Sequence, residues 1–537
     1  MPETRIDSCR DLPLDGDPDR DLMKKKTRKA APRRTDRPRS LCVLILAAGR
    51  GKRMQSRRVK LLHFLGGRSM LLYVVEAVTG LNARKVLLVV GNQQDEVRTS
   101  VEAAFKRKVR YVVQKQQLGT GHAVGEARKE LAGIRGDVLI LNGDLPTLRK
   151  ETLQQFVKFH RENGALVSLL TTVAKNPAGY GRVIRNYIGD VARIVEDSDT
   201  TPEEAKIREI NSGIYLVDIQ ELYQALEQIT SSNRQGEYYL TDIVEILRRE
   251  GKRVAALQHR DRKEILGVNN RVELAEAQKI LRLRKARLLM LKGVTLVNPE
   301  ATYVDHDVRV GRDTIIYPGT VLDARTSIGE ECTIGISCHI SNSTIGSGVQ
   351  VLDYCRIQDS RIHRNARVGP FAHLRPESVL QEGARVGNFV ETKKSTLGKG
   401  SKANHLSYLG DSKIGKDVNI GAGTITCNFD GVNKHRTQIE DNVFIGSDTQ
   451  LVAPVRIRSG AYIGAGSTIT EEVPANALAI CRGRQVVKKN WARKHRSVLE
   501  AAQLPRKSSR GPRRSAEAGK STSRSPGAGR ASRRGKR

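Results

Sequence analysis

Aliphatic residues recur at every sixth position through the second half of the chain. A helix repeats about every 3.6 residues and a strand about every two, so neither explains this spacing. A triangular parallel β-solenoid does, because each side of its coil takes six residues and each aliphatic side chain points to the axis. The positions are Ile328, Ile334 and Ile340; Ile345, Val351 and Ile357; Ile362, Val368, Leu374, Leu380 and Val386; Ile414 and Ile420; and Ile445, Leu451, Ile457, Ile463 and Ile469.

Small residues accompany the aliphatic positions. Glycine follows the aliphatic residue at Gly329 and Gly387, where we expect it to form the tight corner between two sides. Cys332, Cys338 and Cys355 each stand four residues after an aliphatic position. The chain has seven cysteines and no C-x-x-C pair, so we interpret these three as packing residues and expect a reducing, cytoplasmic location.

Residues 41–270 have a different pattern, in which short aliphatic runs alternate with helix-like segments. The runs lie at 42–46, 86–90, 110–113, 138–141 and 166–171, and the helix-like segments include 70–78 and 151–161. Buried parallel strands separated by helices are the simplest interpretation, and they predict a doubly wound α/β nucleotide-binding domain. Residues 271–293, free of Gly and Pro until Gly293, predict a long helix joining this domain to a solenoid domain of residues 294–504.

Positive charge is concentrated at the C-terminal end. The chain of 537 residues has a net charge of +35, and residues 505–537 contain twelve Lys or Arg against one acid. Residues 1–40 and 505–537 are rich in Arg, Ser, Pro and Gly, so we predict two disordered basic extensions. They are either plain solvated extensions or electrostatic contacts to nucleic acid or an anionic surface. No run of eighteen apolar residues is present, so we expect no transmembrane segment.

A glycine-rich loop follows the first predicted strand. It begins with residues 46–49 (LAAG), and Lys60 lies a short distance beyond it. Backbone N–H groups in such a loop can approach a triphosphate, whose charge a lysine neutralises. Asp144 comes shortly after the run 138–141, at a strand end where a carboxylate can hold Mg²⁺ against phosphates.

Several long stretches of the chain resemble one known family. They are residues 117–123 (QLGTGHA), 179–182 (GYGR), 235–242 (QGEYYLTD), 267–271 (GVNNR), 419–428 (NIGAGTITCN) and 446–454 (GSDTQLVAP). Over roughly residues 41–500 the chain is similar to the bifunctional bacterial N-acetylglucosamine-1-phosphate uridyltransferase/glucosamine-1-phosphate acetyltransferases, which make UDP-N-acetylglucosamine. The resemblance implies an α/β doubly wound nucleotidyltransferase domain, a linker helix and a left-handed parallel β-helix of hexapeptide repeats, assembled as a homotrimer.

The resemblance implies a uridyltransferase site that uses UTP and Mg²⁺. The residues implied for UTP are Leu46, Ala47, Ala48, Gly49, Arg53, Lys60, Gln114, Gly119, Thr120 and Gly143. Those implied for the sugar are Gly181, Glu196 and Asn211, and those implied for the metal are Asp144 and Asn269.

Three residues depart from the family pattern in this site. Lys52 stands where the pattern has Thr, Val59 where it has Pro, and Asn142 where it has Tyr. The missing proline removes a rigid lead-in to Lys60. An alternative is therefore a monofunctional acetyltransferase with a degraded nucleotide site.

For the second half, the resemblance implies an acetyltransferase site. His405 would be the general base that deprotonates the glucosamine amine before it attacks acetyl-CoA. The residues implied for the acceptor are Arg375, Lys393, Tyr408 and Asn419, and those implied for acetyl-CoA are Ala422, Asn428, Phe429, Ser447, Ala465 and Arg482. Phe429 stands where the family has Tyr, and an acyl-enzyme on Cys427 is an alternative to direct transfer.

The expected function is therefore double. Glucosamine-1-phosphate is acetylated by acetyl-CoA, and UMP is then transferred from UTP to N-acetylglucosamine-1-phosphate, which releases pyrophosphate. An alternative of another class is a polyanion-binding protein that acts through its basic ends.

Overall fold

The computed structural model describes residues 39–503, apart from 50, 92, 93, 107 and 266. The described residues form two compact units, divided between Cys481 and Arg482. The first contains an α/β domain, a long helix and a solenoid; the described part of the second contains the helix Trp491–Gln503. The basic extensions predicted over 1–40 and 505–537 lie outside the described residues, except for Arg39 and Ser40.

A mixed sheet forms the centre of the α/β domain. Its strands, in spatial order, are Val254–Gln258, Val167–Val173, Glu209–Asp218, Gly136–Asn142, Ser40–Ala47, Lys85–Val90 and Arg110–Val113, and the hairpin Arg182–Arg185/Val191–Val195 pairs with Glu209–Asp218. All five predicted aliphatic runs lie in or across these strands. The alternating side chains Val43 and Leu44 enter separate cores on the two faces, as the doubly wound prediction requires.

One central strand, which is not among the predicted aliphatic runs, is antiparallel to its neighbours. Glu209–Asp218 is antiparallel to both of its neighbours, with Val217 opposite Val138. A strand buried on both faces is apolar whichever way it runs, so the aliphatic pattern carried no information about direction. The predicted runs that pair directly with one another are parallel, and Glu209–Asp218 makes the sheet mixed.

Helices cover both faces of the sheet. The α-helices of the first unit are Met70–Thr79, Gln94–Phe105, Thr120–Gly125, Arg128–Leu131, Lys150–Asn163, Ile219–Leu226, Asp242–Arg249 and Arg271–Met290, and the 3₁₀ turns are Lys52–Met54, Lys60–Leu62, Asp197–Asp199, Glu204–Lys206, Arg262–Glu264 and Pro299–Ala301. The predicted joining helix is Arg271–Met290. Asn270 caps it by accepting from Val272 N at 2.9 Å and Glu273 N at 3.0 Å.

The solenoid is a left-handed parallel β-helix with three sides. One side is built from Arg309–Val310, Ser327–Ile328, Thr344–Ile345, Arg361–Ile362, Val379–Leu380, Thr396–Leu397, Ser412–Ile414, Thr437–Ile439 and Val455–Ile457. The second contains Thr295–Leu296, Ile315–Ile316, Thr333–Ile334, Gln350–Val351, Arg367–Val368, Asn419–Ile420, Phe444–Ile445, Tyr462–Ile463 and Leu478–Ala479. The third contains Tyr303–Val304, Val321–Asp323, His339–Ser341, Arg356–Gln358, His373–Leu374, Ile425–Cys427, Gln450–Val452 and Thr468–Ile469. The longer strands Arg385–Lys393 and Lys402–Gly410 continue from the second side into the third.

The predicted aliphatic residues form the core of the solenoid. Every one of them is buried, and Ile316 stacks on Ile334 of the next coil, as the six-residue spacing requires. Cys332, Cys338 and Cys355 are buried free thiols in the same core, which confirms their interpretation as packing residues.

The glycines after the aliphatic positions have a different role from the one predicted. Gly387 lacks the positive φ of a tight corner, but a Cβ there would lie 1.9 Å from Asn404 O on the next coil. Glycine is needed because the coils approach closely, and the positive φ values fall on other residues such as Phe371 and Phe389.

Across the described part of the chain, no helix is long and apolar enough to cross a membrane.

Candidate functional site

Three predicted residues meet at the carboxyl ends of the α/β strands. Lys60 Nζ donates to Asp144 Oδ2 at 2.6 Å and to Asn269 Oδ1 at 2.9 Å, across 84 and 209 positions of the chain. Arg53 donates to the same Asn269 oxygen at 3.0 Å. Parallel strands end at the same edge of a sheet, so loops far apart in sequence converge here.

The glycine-rich loop borders this cluster. Leu46 and Ala47 end the first strand, and Ala48 and Gly49 follow it. Gly143 N donates to Leu46 O at 2.9 Å, which ties the loop to the strand end that carries Asp144.

Asp144 and Asn269 fit a hard cation. The Lys60 ammonium already bridges their side-chain oxygens, so the pair attracts positive charge. Mg²⁺ prefers oxygen ligands and is usually held by one or two carboxylates together with substrate phosphates. No group of three or more His, Cys, Asp or Glu side chains within the described ranges could hold a metal by itself. The site therefore suits a cation that phosphates help to bind.

Val59 adopts the backbone conformation that a proline would impose. Its φ is −51° and its ψ is 131°, and its side chain is buried. On the other side of Lys60, Gly51 has a φ of +61°, and a Cβ there would lie 2.5 Å from Lys60 Cβ. Although the proline is absent, burial of Val59 and the close approach of Gly51 hold Lys60 in position. The side chain of Lys52 lies outside the described part of the structure.

Gln114, Gly119 and Thr120 lie together at the edge of the site. Gln114 Nε2 donates to Gly119 O at 3.2 Å, and Thr120 Oγ1 accepts from Leu240 N at 3.0 Å. Gly119 has a φ of +113°, and a Cβ there would lie 2.6 Å from Tyr238 O. Two of the family-like stretches, 117–123 and 235–242, are therefore packed against each other.

The residues predicted for the sugar line a cavity of about 220 Å³ next to Asp144. Gly181 O accepts from Asn211 N at 2.8 Å, and Glu196 Oε1 accepts from Thr241 Oγ1 at 3.2 Å. Burial raises the pKa of Glu196. The cavity offers amide and carboxyl groups that suit the hydroxyl groups of a sugar.

Several lining residues were missed by the sequence prediction. Tyr180 and Thr241 line the cavity, and Gln117 Nε2 donates to Ala48 O beside it. Tyr180, Thr241 and Gln117 lie inside the family-like stretches, so their position in those stretches could have identified them as site residues. Asn142, which departs from the family pattern, also lines the cavity, and its side chain lies so close to Gly213 that an added Cβ there would be 2.5 Å from Asn142 Nδ2.

His405 lies exposed on the strand Lys402–Gly410. Its Nδ1 is 3.0 Å from Oδ1 of Asn388, the residue in register with it on the preceding coil. An amide oxygen only accepts hydrogen bonds, so this contact assigns the proton to Nδ1 and leaves Nε2 able to accept one. Asn388 was not predicted, although its distance of one coil from His405 was a usable signal.

Three cationic side chains lie near each other on the solenoid. The charges of Lys434 and then Arg375 lower the pKa of Lys393. Arg375 NH1 donates to Glu391 Oε1 at 2.7 Å, and Tyr408 is in register with Glu391. Such a cluster suits a phosphate monoester dianion. Lys434 was missed because it lies in an insertion that interrupts the six-residue pattern.

The same insertion, residues 428–436, presents Asn428 and Phe429. Asn428 Nδ2 donates to Asp411 Oδ2 at 2.5 Å, and the Phe429 side chain is exposed. Asp430 Oδ1 accepts from Asn433 N at 2.6 Å and Val432 N at 2.8 Å. These bonds and the contact with His435 lower the pKa of Asp430 to about 2, so its carboxylate holds the insertion together.

The remaining acetyl-CoA residues follow one corner of the solenoid. Asp448 N donates to Ala422 O at 2.6 Å, and Gly466 N donates to Ser447 O at 2.8 Å, so Ala422, Ser447 and Ala465 lie on successive coils. His405 is at the same corner, because Gly423 N donates to Leu406 O at 2.7 Å.

Two further residues are predicted for this half of the chain. Asn419 is in register with Lys402, at the start of the strand that carries His405. Arg482 is the first residue of the second unit, and its role stays a prediction.

Family models match separate parts of the chain. The nucleotidyl transferase model covers residues 42–264, the GMPPB C-terminal domain model covers 301–388, and the bacterial transferase hexapeptide model, with six repeats, covers 436–471.

Curated relatives match both halves at once. The bifunctional protein GlmU of Koribacter versatilis is 49% identical over 463 residues, which is 86% of this chain and 98% of the relative. The GlmU proteins of Pelobacter propionicus and of a Geobacillus species are 49% and 47% identical, over 84% and 83% of this chain and 98% and 96% of the relatives. The chain therefore belongs to the family of the bifunctional GlmU proteins.

Proposed function

We propose that this chain acetylates glucosamine-1-phosphate with acetyl-CoA and then transfers UMP from UTP to the product, giving UDP-N-acetylglucosamine and pyrophosphate. The observation that carries the uridyltransferase half is the Lys60 ammonium between Asp144 and Asn269 at the strand ends. Nucleotidyl transfer needs positive charge at this point, because two phosphorylated substrates repel each other and negative charge develops on the leaving pyrophosphate.

In the acetyl-transfer step, His405 Nε2 accepts a proton from the substrate amine. The amine nitrogen attacks the thioester carbonyl, the C–S bond breaks, and coenzyme A leaves as a thiol after gaining a proton. Asn388 holds His405 in the tautomer that can accept the proton. Arg375 and Lys393 bind the sugar phosphate, and Tyr408 and Asn419 orient the sugar. Direct transfer gives Cys427 no role.

In the uridyltransferase step, a phosphate oxygen of N-acetylglucosamine-1-phosphate attacks the α-phosphorus of UTP. Lys60, Arg53 and the backbone of residues 46–49 bind the triphosphate, and Gln114 with residues 119–120 contacts the uracil. Glu196 and Asn211 bind the sugar hydroxyl groups. Asp144 and Asn269 are the residues that would hold Mg²⁺, and the ion would neutralise phosphate charge during the transfer.

The monofunctional alternative is disfavoured by the geometry around Lys60. A degraded site would leave Lys60 without defined partners, yet it has two hydrogen bonds, and Val59 has a proline-like φ. The polyanion-binding alternative depends on the two ends of the chain. Removal of residues 1–38 and 505–537 tests it, and we expect both transfer activities to persist while binding to polyanions is lost.

Association as a homotrimer belongs to the same proposal. Tyr354, Phe371 and Phe389 form a stack along one corner of the solenoid, with ring centroids 5.1 and 5.5 Å apart and each side chain about half exposed. A contiguous exposed aromatic ridge is typical of a contact surface, here between copies of this chain. The buried free thiols support a reducing, cytoplasmic location.

The deciding experiment is pyrophosphate release from UTP and N-acetylglucosamine-1-phosphate with Mg²⁺, measured for the parent chain and Asp144→Ala. We expect release that the substitution reduces by about 100-fold or more. Absence of release from the parent, with acetyl transfer intact, would establish the monofunctional alternative instead.

A further inference from the structure

A short hairpin connects the uridyltransferase site to the first coil of the solenoid. Lys60–Leu62 is followed directly by the strands Phe64–Leu65 and Arg68–Ser69, which pair across the turn Gly66–Gly67. His63 N donates to Lys60 O at 3.3 Å, and Met70 N donates to His63 O at 2.9 Å. A continuous series of backbone hydrogen bonds therefore runs from Lys60 to the base of the hairpin.

The tip of this hairpin is held from outside the α/β domain. His306 N donates to Gly66 O at 2.9 Å, and Gly66 N donates to Gln278 Oε1 on the long helix at 2.9 Å. A Cβ at Gly67 would lie 2.4 Å from Asp305 Oδ2, so the solenoid approaches the turn as closely as glycine allows.

Arg68 provides the main side-chain contact between the two halves. Its guanidinium donates to both Asp307 oxygens, Nε to Oδ2 at 3.1 Å and NH2 to Oδ1 at 2.5 Å, and NH1 donates to Glu76 Oε2 at 3.2 Å. The Arg68 side chain is mostly buried, with 21% exposed. A bidentate arginine–carboxylate pair fixes orientation as well as distance.

Neighbouring groups fix the partner in turn. Lys285 Nζ on the long helix donates to His306 O at 2.8 Å and to Val308 O at 2.6 Å, on either side of Asp307. His306 Nε2 is 3.5 Å from Glu76 Oε2, and its ring packs edge-on against Tyr73 at 5.3 Å. The segment that presents Asp307 is thus bound on both sides.

We propose that Asp307, a residue of the acetyltransferase half, is a positioning residue for uridyl transfer. Through Arg68 it fixes the hairpin, and through the hairpin it keeps Lys60 aligned with Asp144 and Asn269. The solenoid then contributes to the geometry of the uridyltransferase site. This inference rests on the role of Lys60 in the proposed function.

The test compares Asp307→Asn and Arg68→Lys in the full-length chain. We expect KM for UTP to rise about fivefold in each variant, because a displaced Lys60 loses contact with the phosphates in both ground and transition states. We expect kcat, KM for N-acetylglucosamine-1-phosphate and acetyl transfer to stay within about twofold of the parent.

Asp313→Asn is the matched control, because it makes the same chemical change at an exposed residue of the same solenoid end. Kinetics of Asp307→Asn indistinguishable from this control would overturn the inference, and so would a parallel loss of acetyl transfer. UTP affinity measured by calorimetry, with Lys60→Ala as the reference for complete loss, decides the inference separately from turnover. Weaker UTP binding in Asp307→Asn supports it even if the parent releases no pyrophosphate, an outcome that would count against the proposed function alone.

Discussion

In the α/β domain Lys60 reaches Asp144 and Asn269 across 84 and 209 positions, whereas in the solenoid His405 contacts Asn388 only 17 positions away. The first site depends on loops that meet only when the whole sheet has folded. The second is stacked along consecutive coils, so its residues are separated by the length of one coil. In a repetitive fold, residues that contact each other on neighbouring coils are therefore separated by a nearly constant number of positions, whereas in an α/β domain the separation has no fixed value.

The two regions also differ in how deeply their charged side chains are buried. Asp137 is fully buried in the α/β domain and contacts Arg39 NH2 at 2.8 Å, and Arg39 also contacts Asp218. On the solenoid the ion pairs are exposed, as between Arg458 and Glu472 at 2.6 Å. Removing one partner should therefore cost much more in the first region than in the second.

The largest expected effect is on acetyl transfer. His405→Ala should lower kcat for acetylation about 1,000-fold, because the amine loses its general base. Uridyl transfer should be unchanged, since no element of that site contacts this corner in the described structure. His363→Ala, a histidine beside another side of the solenoid, is the control. Retention of acetyl transfer in His405→Ala would favour the alternative mechanism, an acyl-enzyme on Cys427.

The next effect concerns the buried charges. Arg39→Ala should lower the free energy of unfolding by about 2 kcal/mol, because Asp137 and Asp218 keep their burial and lose their common partner. Arg458→Ala should change it by less than about 0.5 kcal/mol. Urea unfolding of both variants measures the difference, and equal effects would contradict the contrast between the two regions.

Asn388 tests whether coil spacing places a residue that matters for catalysis. Asn388→Ala should lower kcat for acetylation about tenfold, because the His405 ring is no longer held. Asn388→Asp keeps an acceptor oxygen and should recover most of the rate. If both variants match the parent, the contact with Nδ1 has no role in orientation.

A smaller effect should depend on pH. Burial raises the pKa of Asp242 from 3.8 to about 6, so the folded state binds this proton more tightly than the unfolded state. Ionisation of Asp242 therefore lowers the free energy of unfolding. The full loss is present above about pH 6, and there is no loss below about pH 4. Asp242 is partly exposed, and solvent screening reduces the effect. Asp242→Asn should therefore raise the free energy of unfolding by about 1 kcal/mol at neutral pH and leave it unchanged at low pH. A stability difference that does not vary with pH would argue against this assignment.

The smallest effect concerns the lead-in to Lys60. Val59→Pro should raise the free energy of unfolding by about 0.5 kcal/mol and leave KM for UTP unchanged, because Val59 already has a proline-like φ. Thermal unfolding and steady-state kinetics check the two parts. A marked rise in KM for UTP would mean that the valine conformation is not equivalent to that of proline.

The solenoid was largely predictable from the sequence. Its core residues and its small packing cysteines follow from the six-residue spacing, whereas the residues proposed for acetyl transfer come from the resemblance to the family. The reason assigned to Gly387 was wrong, because close approach of the next coil is invisible in a pattern of single residues. Lys434 and Asn388 were missed because one lies in an insertion and the other has an unremarkable side chain until its neighbour is known.

What the sequence determined by itself is periodicity: the coils of the solenoid with their buried aliphatic residues, five strands of the α/β sheet, and the stretches that resemble a known family. Hydrophobic burial imposes that periodicity directly, so it can be read without coordinates. Only the tertiary structure decided the direction of Glu209–Asp218, the meeting of Lys60 with Asp144 and Asn269, and the contact of Arg68 with Asp307. Contacts between segments distant in the chain depend on how whole elements pack, and no local pattern of residues records that packing.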